Sequence, residues 1–195
     1  EWFSQLCDKG LYQACVSLSD TFDASSAESL QKKAASLSKG CELGGGEACH
    51  RFAQGNEEAQ FGPLDINRAG QTYRLGCNAG YAPSCGAYGR LIAEGQYGKD
   101  RTKATPFLQK GCDGGQVDAC VMLGGLYLNG DWVEKNAVKA MPLLKLGCID
   151  GETVYPQACK GIARLYSEGS GVTRSRIEAA RYLGVACEMG DLDGC

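Results

Sequence analysis

A chain of 195 residues is long enough to bury a core, and its length commits it to neither one domain nor two. Its net charge of −3 offers no basic field for nucleic acid or an anionic membrane, and no run of about 18 apolar residues is present to cross a bilayer. Twelve cysteines and a single histidine set the remaining problem, because cysteines in even number at repeated spacing point to disulfides in an oxidising compartment or to metal.

The first element is the end of a helix. Glu1-Trp2-Phe3 reads as mid-helix rather than as a secretory leader, so a leader is expected to have been removed or the sequence trimmed. That helix closes at Cys7, and Cys7 opens the first of six copies of one joint. Five copies have seven residues between the cysteines, and the copy from Cys148 to Cys159 has ten. Glycine stands third in every joint: Gly10, Gly44, Gly80, Gly115, Gly151 and Gly190. The residue before the second cysteine is always small: Ala14, Ala48, Ser84, Ala119, Ala158 or Gly194. Each joint therefore reads as the turn between two helices. The first cysteine lies on the last turn of one helix, and glycine supplies the left-handed residue that ends it. The second cysteine opens the next helix. Zinc asks for Cys-x-x-Cys knuckles and added histidines. The chain has no such knuckle, and His50 is its only histidine, so disulfides are favoured and no metal is expected. The loop neighbour is the only partner that every cysteine has at a common offset. The expected bridges are Cys7–Cys15, Cys41–Cys49, Cys77–Cys85, Cys112–Cys120, Cys148–Cys159 and Cys187–Cys195. Closing a loop of about nine residues contributes on the order of 2–3 kcal/mol per bridge in the chain-entropy account.

The first cysteines follow one another at 34, 36, 35, 36 and 39 residues, and a fixed period in this range signals a solenoid. Five helix pairs follow: Cys15–Cys41, Cys49–Cys77, Cys85–Cys112, Cys120–Cys148 and Cys159–Cys187. In the first, Ser25-Ser26-Ala27-Glu28 offers a capping box for the second helix. In the second pair, the connection from Gly55 to Asn67 is long and polar, with a turn at Gly62-Pro63. Gly95, Gly130 and Gly169 stop the first helices of the last three pairs, and Asn136 caps the second helix of the fourth. Pro142 is expected in the first turns of that helix, where a missing N–H costs little. Large apolar residues recur three after the second cysteine (Leu18, Phe52, Tyr88, Leu123, Ile162) and four before the first (Leu37, Tyr73, Leu108, Leu144, Leu183). Small ones recur beside them, at Ser19, Ala53, Gly89, Gly124 and Ala163. Large and small residues at fixed places imply close helix packing, layer on layer.

The run from Ala119 to Gly130, Ala-Cys-x-x-Leu-Gly-x-Leu-Tyr-x-x-Gly, continues from Ala140 into a helix ending Gly-Cys-x-x-Gly at Gly151. It resembles the Sel-one-like (Sel1-like) repeat, and the paired cysteines are similar to the disulfide-bridged branch that includes the bacterial cysteine-rich Hcp-type proteins. The resemblance covers essentially the whole chain. It implies an all-α, right-handed α/α superhelical solenoid of disulfide-stapled helix pairs, tetratricopeptide-like, with the first helices lining a concave face. Repeats are expected at about 8–41, 42–77, 78–112, 113–148 and 149–187, with a partial one at 188–195, in a single solenoid domain. It further implies scaffolding and partner binding. Some bacterial members are described as penicillin-binding proteins or weak β-lactamases, others as periplasmic immunity proteins.

Serine β-lactamases use Ser-x-x-Lys, with the lysine one turn from the nucleophile. Ser29-Leu30-Gln31-Lys32 and Ser36-Leu37-Ser38-Lys39 fit that spacing, yet no Ser-Asp-Asn or Lys-Thr-Gly follows. Both read as chance matches on a solvated helix face. His50 reads as a surface or interface residue, Gly44-Gly45-Gly46 as part of a joint rather than a phosphate loop, and no catalytic set or cofactor is expected. The chemistry that remains is surface. Five residues after the second cysteine stand Asp20, Gln54, Arg90, Gly125 and Arg164. Together with neighbours on the first helices, the candidate partner-binding residues are Arg51, Gln54, Arg90, Glu94, Met122, Leu128, Lys160 and Arg164. Trp132 joins them as a loop residue that either plugs a gap between layers or anchors a partner. The insertion Glu152-Thr153-Val154-Tyr155-Pro156 also departs from the repeat, as binding loops do. The expectation is a monomeric, non-catalytic interaction scaffold, periplasmic or secreted. Its concave face would hold a protein partner, as an immunity or adaptor protein blocking a bacterial effector would; the alternative is a weak penicillin-binding or β-lactamase activity.

Overall fold

The structure is a computed structural model and describes residues 2–149 and 154–195. Gly151, the glycine of the fifth joint, and Glu152 and Thr153 of the insertion lie outside the described residues. The described residues form eleven α-helices and two short 3-10 turns, with no strand. The chain divides into two compact units, Glu1–Lys110 and Gly111–Cys195.

In the first unit, α1 (Trp2–Asp8) leads to the pairs α2 (Tyr12–Asp20) with α3 (Ala27–Glu42) and α4 (Gly46–Glu57) with α5 (Ile66–Asn78). Helix α6 (Ala82–Ala93) then connects through a 3-10 turn at Arg101–Lys103 to α7 (Ala104–Asp113). In the second unit, α8 (Val117–Asn129) pairs with α9 (Ala137–Cys148), and α10 (Pro156–Glu168) with α11 (Arg176–Glu188), followed by a 3-10 turn at Leu192–Gly194.

All six expected disulfides form, with Cα atoms 4.5 to 5.0 Å apart. The joint is built on one pivot residue, the one after the left-handed glycine. Gly10, Gly44, Gly80, Gly115 and Gly190 all have φ between 84° and 92°. After them, the backbone N–H of Leu11, Gly45, Tyr81, Gln116 and Asp191 donates back to Leu6, Gly40, Gly76, Gly111 and Ala186, closing the preceding helix in a Schellman manner. The same residue caps the next helix. The N–H of Cys15, Cys49, Cys85 and Cys120 donates to the pivot's carbonyl as the first intrahelical bond. The second cysteine is thus the fourth residue of its helix, one turn in, facing the last turn of the helix before. The longer joint keeps this arrangement: Tyr155 N–H donates to Gly147 at 2.7 Å and Cys159 N–H to Tyr155 at 3.4 Å. Its three extra residues therefore precede the pivot.

Packing within each pair follows the large and small positions. Leu37, Tyr73, Leu108 and Leu144 are buried, as are Phe52, Tyr88, Leu123 and Ile162. A methyl group at Gly89 would lie 2.8 Å from Leu108, and one at Gly124 would lie 2.9 Å from Leu144. The small residue of the first helix is therefore the socket for the leucine of the second. At the joints a methyl at Gly40 would sit 2.8 Å from Cβ of Ala48, which is why the residues flanking the cysteines are small.

Three local expectations change. Ser26, not Ser25, caps α3, accepting from Ser29 N–H at 3.1 Å. Ser25 instead turns to Asp23, and Glu28 pairs with Lys32, so no reciprocal capping box closes. Helix α4 runs through Glu57 and α5 starts at Ile66, so the polar connection is shorter than Gly55 to Asn67. Pro142 is the sixth residue of α9, past the first turn, and the helix continues through it; at that depth its ring forfeits an i→i−4 bond.

Candidate functional site

The residues expected to meet a partner lie on or beside the first helices, and the structure gives four of the nine, Arg51, Arg90, Lys160 and Arg164, partners about one repeat away. In the first unit, the Arg51 guanidinium of α4 donates to both carboxylate oxygens of Asp20 on α2 and lies 3.6 Å from Glu47. One repeat on, Arg90 of α6 donates to Glu57 of α4 and to Glu94 at 3.0 Å. Glu57 also accepts from the Tyr73 hydroxyl at 2.8 Å. Gln54 donates to Glu58 at 2.8 Å. In the second unit, Arg164 of α10 donates to Asn129 of α8 at 2.9 Å and to Glu168 at 2.8 Å. Lys160 donates to Asp191 beyond α11, with 2.8 Å to its nearer oxygen, and lies 3.6 Å from Asp193. These links join residues 31 to 35 apart, close to one period. In each unit they form a polar ladder in which each first helix is tied to the repeat next to it.

The electrostatics follow. The Arg51 hydrogen bond holds the Asp20 carboxyl below its ordinary range, and Arg164 and Lys160 do the same for Glu168 and Asp191. Burial and the Glu57 carboxylate push the Tyr73 phenol well above its ordinary value, so it stays a neutral donor. The Glu57 side chain is 17 % exposed and that of Arg90 31 %, which places this pair between a surface bridge and a buried one. Sequence reading missed Glu57, Tyr73, Asn129 and Asp191. The available signal was a carboxylate or amide standing about one period from each cation.

Other candidates fall elsewhere. Leu128 is 6 % exposed and belongs to the core of the second unit. A methyl at Gly161 would come within 3.2 Å of it, so that glycine leaves the room it fills, and no face is offered to a partner. Met122 is half-buried on α8. Trp132 is 47 % exposed and takes a left-handed φ of 61°, an outlier for a bulky residue. One repeat later Gly171 has φ 71° at the corresponding place, two residues past the glycine that ends the first helix (Gly130 and Gly169). His50 lies against two rings, Tyr73 at 5.3 Å and Tyr81 at 5.5 Å.

Neither Ser-x-x-Lys match has its lysine on its serine. Lys32 Nζ lies 2.6 Å from Glu28 and Lys39 Nζ 2.6 Å from Asp8, while the Ser36 hydroxyl donates to the Lys32 carbonyl. No group of three or more metal-ligating side chains comes together among the described residues, and no helix there is long and apolar enough to cross a membrane.

Residues 117–151 and 156–191 each match the family model of the Sel1 repeat. No curated protein matches the chain. Among solved structures, it is similar to a protective antigen of uropathogenic Escherichia coli that displays an SLR fold, with TM-score 0.83 and 19 % identity over 99 % of this chain and 41 % of that one. It is also similar to a Sel1 repeat protein from Oxalobacter formigenes, with TM-score 0.74 and 19 % identity over 99 % of this chain and 56 % of that one. A sel1 repeat protein from Klebsiella pneumoniae gives TM-score 0.59 and 24 % identity over 100 % of this chain and 95 % of that one. The chain thus spans less than two thirds of the length of the first two. The bridged joint, the large-and-small packing and the matched repeats fall on the same period: residues 117–151 and 156–191 are Sel1 repeats, and the disulfide-linked helix pairs of the chain share the fold of Sel1-repeat structures.

Proposed function

We propose that the protein is a non-catalytic scaffold that holds a partner protein against its first helices. The observation that carries this reading is the polar ladder. Arg51, Arg90, Lys160 and Arg164 are partly exposed, and each is held by an oxygen acceptor about one repeat away. Side chains already fixed lose little rotamer freedom when a partner covers them. The lysines of the two Ser-x-x-Lys runs are engaged by Glu28 and Asp8, which supports a binding role over acyl transfer. Six disulfides support an oxidising, extracytoplasmic setting, and we place the protein in the periplasm or outside the cell. In its most specific form, resting on the sequence resemblance, the reading is an immunity or adaptor protein that blocks a bacterial effector. Trp132 is its aromatic anchor in the second unit.

The test is capture of the oxidised, tagged protein from its own cell envelope, with partners identified by mass spectrometry. Trp132→Gly removes the indole and installs the residue that the next repeat uses at the same φ. One stoichiometric partner, lost in Trp132→Gly without a change in melting temperature, supports the reading. A preparation free of any partner, combined with turnover of a chromogenic cephalosporin that Ser36→Ala abolishes, overturns it.

A further inference from the structure

The connection between α6 and α7, in the first unit, holds chemistry that the ladder does not use. It borders a cavity of about 300 Å³, the lower end of the range for small-ligand sites. Tyr88 and Ile92 of α6 line it and are buried. Tyr97 forms a third apolar wall, and its position is fixed from two sides. Its ring is seated on Gly70, where a methyl group would come within 2.6 Å of Cγ, and it lies 5.7 Å from the Tyr88 ring. Tyr88 in turn meets Phe107 edge-on at 4.6 Å. The aromatic walls are therefore built in advance of any ligand.

The open side is cationic. Residues 95–110 carry Lys99, Arg101, Lys103 and Lys110 against one carboxylate, Asp100, in a chain whose net charge is −3. Lys99 and Lys103 line the cavity. Lys99 makes no ion pair among the described residues, and Lys103 stands 3.9 Å from Asp100. The Asp100 carboxylate is occupied in capping the 3-10 turn, accepting from the Thr102 N–H at 3.1 Å and the Thr102 hydroxyl at 2.5 Å. The Tyr88 side chain is only 7 % exposed and lines the cavity. Burial keeps that phenol above its ordinary range, so at neutral pH it stays a neutral donor.

We propose that this cavity binds a small carboxylate bearing an aromatic or branched apolar group. The apolar part would rest on Tyr88, Ile92 and Tyr97, and the carboxylate would sit at Lys99 and Lys103. A monoanion fits better than a phosphate dianion because Asp100 adds a negative charge at the same rim. Two sources present this chemistry, a free aryl carboxylate and the C-terminal residue of a polypeptide. The lysines are exposed and the cavity is small, so the dissociation constant is on the order of 1 mM for the free compound.

The experiment is a two-dimensional amide NMR titration of the oxidised full chain with N-acetyl-phenylalanine, its C-terminal amide, and the peptide Gly-Gly-Gly-Phe as acid and as amide. Saturable shifts at Tyr88, Ile92 and Gly98 are expected with the acids. Affinity should fall about tenfold for the amides and for Lys99→Gln combined with Lys103→Gln, a change on exposed side chains that leaves the fold intact. Peptide acid binding at least tenfold tighter than N-acetyl-phenylalanine identifies a chain end as the source, and equal affinity identifies a free carboxylate. Equal shifts with acid and amide, shifts confined to other residues, or no saturation by 10 times the expected constant would overturn the proposal.

Discussion

Replacing Arg90 by methionine separates a ladder that holds repeats together from a surface merely waiting for a partner. Methionine keeps the aliphatic stem and removes the charge. Glu57, 17 % exposed, is then left with the Tyr73 hydroxyl at 2.8 Å as its hydrogen-bond donor. At an effective dielectric near 20 the lost attraction is about 4 kcal/mol before desolvation and side-chain entropy are subtracted. Exposed pairs retain about 0–1 kcal/mol of such attraction, and breaking fully buried ones costs about 3–5. The intermediate exposure of this pair places the net loss at about 2 kcal/mol, or about 4–8 °C in a chain of this size. Tyr73→Phe removes one hydrogen bond to a charged group and should cost about 1.5 kcal/mol. The double variant should lose less than the sum, because both act on one carboxylate. Thermal melts of the oxidised protein followed by far-ultraviolet circular dichroism give all three values. Lys32→Met, on the exposed Glu28–Lys32 pair, is the internal control and should melt with the wild type. If Arg90→Met does the same, the pair is only a surface bridge and the ladder holds nothing.

The glycine sockets predict opposite signs for one kind of substitution. Gly89→Ala drives a methyl to 2.8 Å from Leu108 and should destabilise by about 1–3 kcal/mol. Gly184→Ala, in α11 with nothing within 4 Å of the new methyl, should stabilise by about 0.5–1 kcal/mol; urea midpoints would expose a failure of either sign. Removing one bridge through Cys77→Ala with Cys85→Ala should lower stability by about 2.5 kcal/mol, and an unchanged urea midpoint would count against the entropic account. The Asp20 carboxyl is depressed chiefly by its Arg51 hydrogen bond, from an ordinary value of 3.8. Its stabilisation is therefore present above that value and lost as pH falls through the lower, folded-state one. Asp20→Asn should be less stable than wild type at pH 5, with the gap narrowing as pH falls below 3.8, and a gap independent of pH would refute the linkage.

The joints were legible because a cysteine, a glycine and a small residue recur at fixed offsets, and because the pivot needs only backbone groups. The leucines four before each first cysteine were legible for the same reason, since the socket opposite them is small at a constant place. Arg51 and Arg90 were placed on the first helices, but their intramolecular acceptors Asp20 and Glu57 were not foreseen. Their acceptors lie 31 and 33 residues away, and whether a long side chain spans that gap depends on how one helix pair stacks on the next. Leu128 was misjudged because its surroundings are set by the missing side chain of Gly161. Ser25 lost the cap to Ser26 because Asp23 engages it first, a competition among short polar residues that spacing alone does not resolve.

Trp2 and Trp132 are the chain's two tryptophans, and both are exposed, at 66 % and 47 %. The core is instead packed with leucine, alanine and tyrosine. Indole emission from this protein therefore starts close to the wavelength of an unfolded chain, and denaturation moves it little. The same optics favour the study of association, because whatever covers the loop at Trp132 transfers an indole from water to an apolar contact and shifts the emission to the blue. Folding has to be followed through the backbone signal or through the tyrosines, and the tryptophans are left as reporters of the surface.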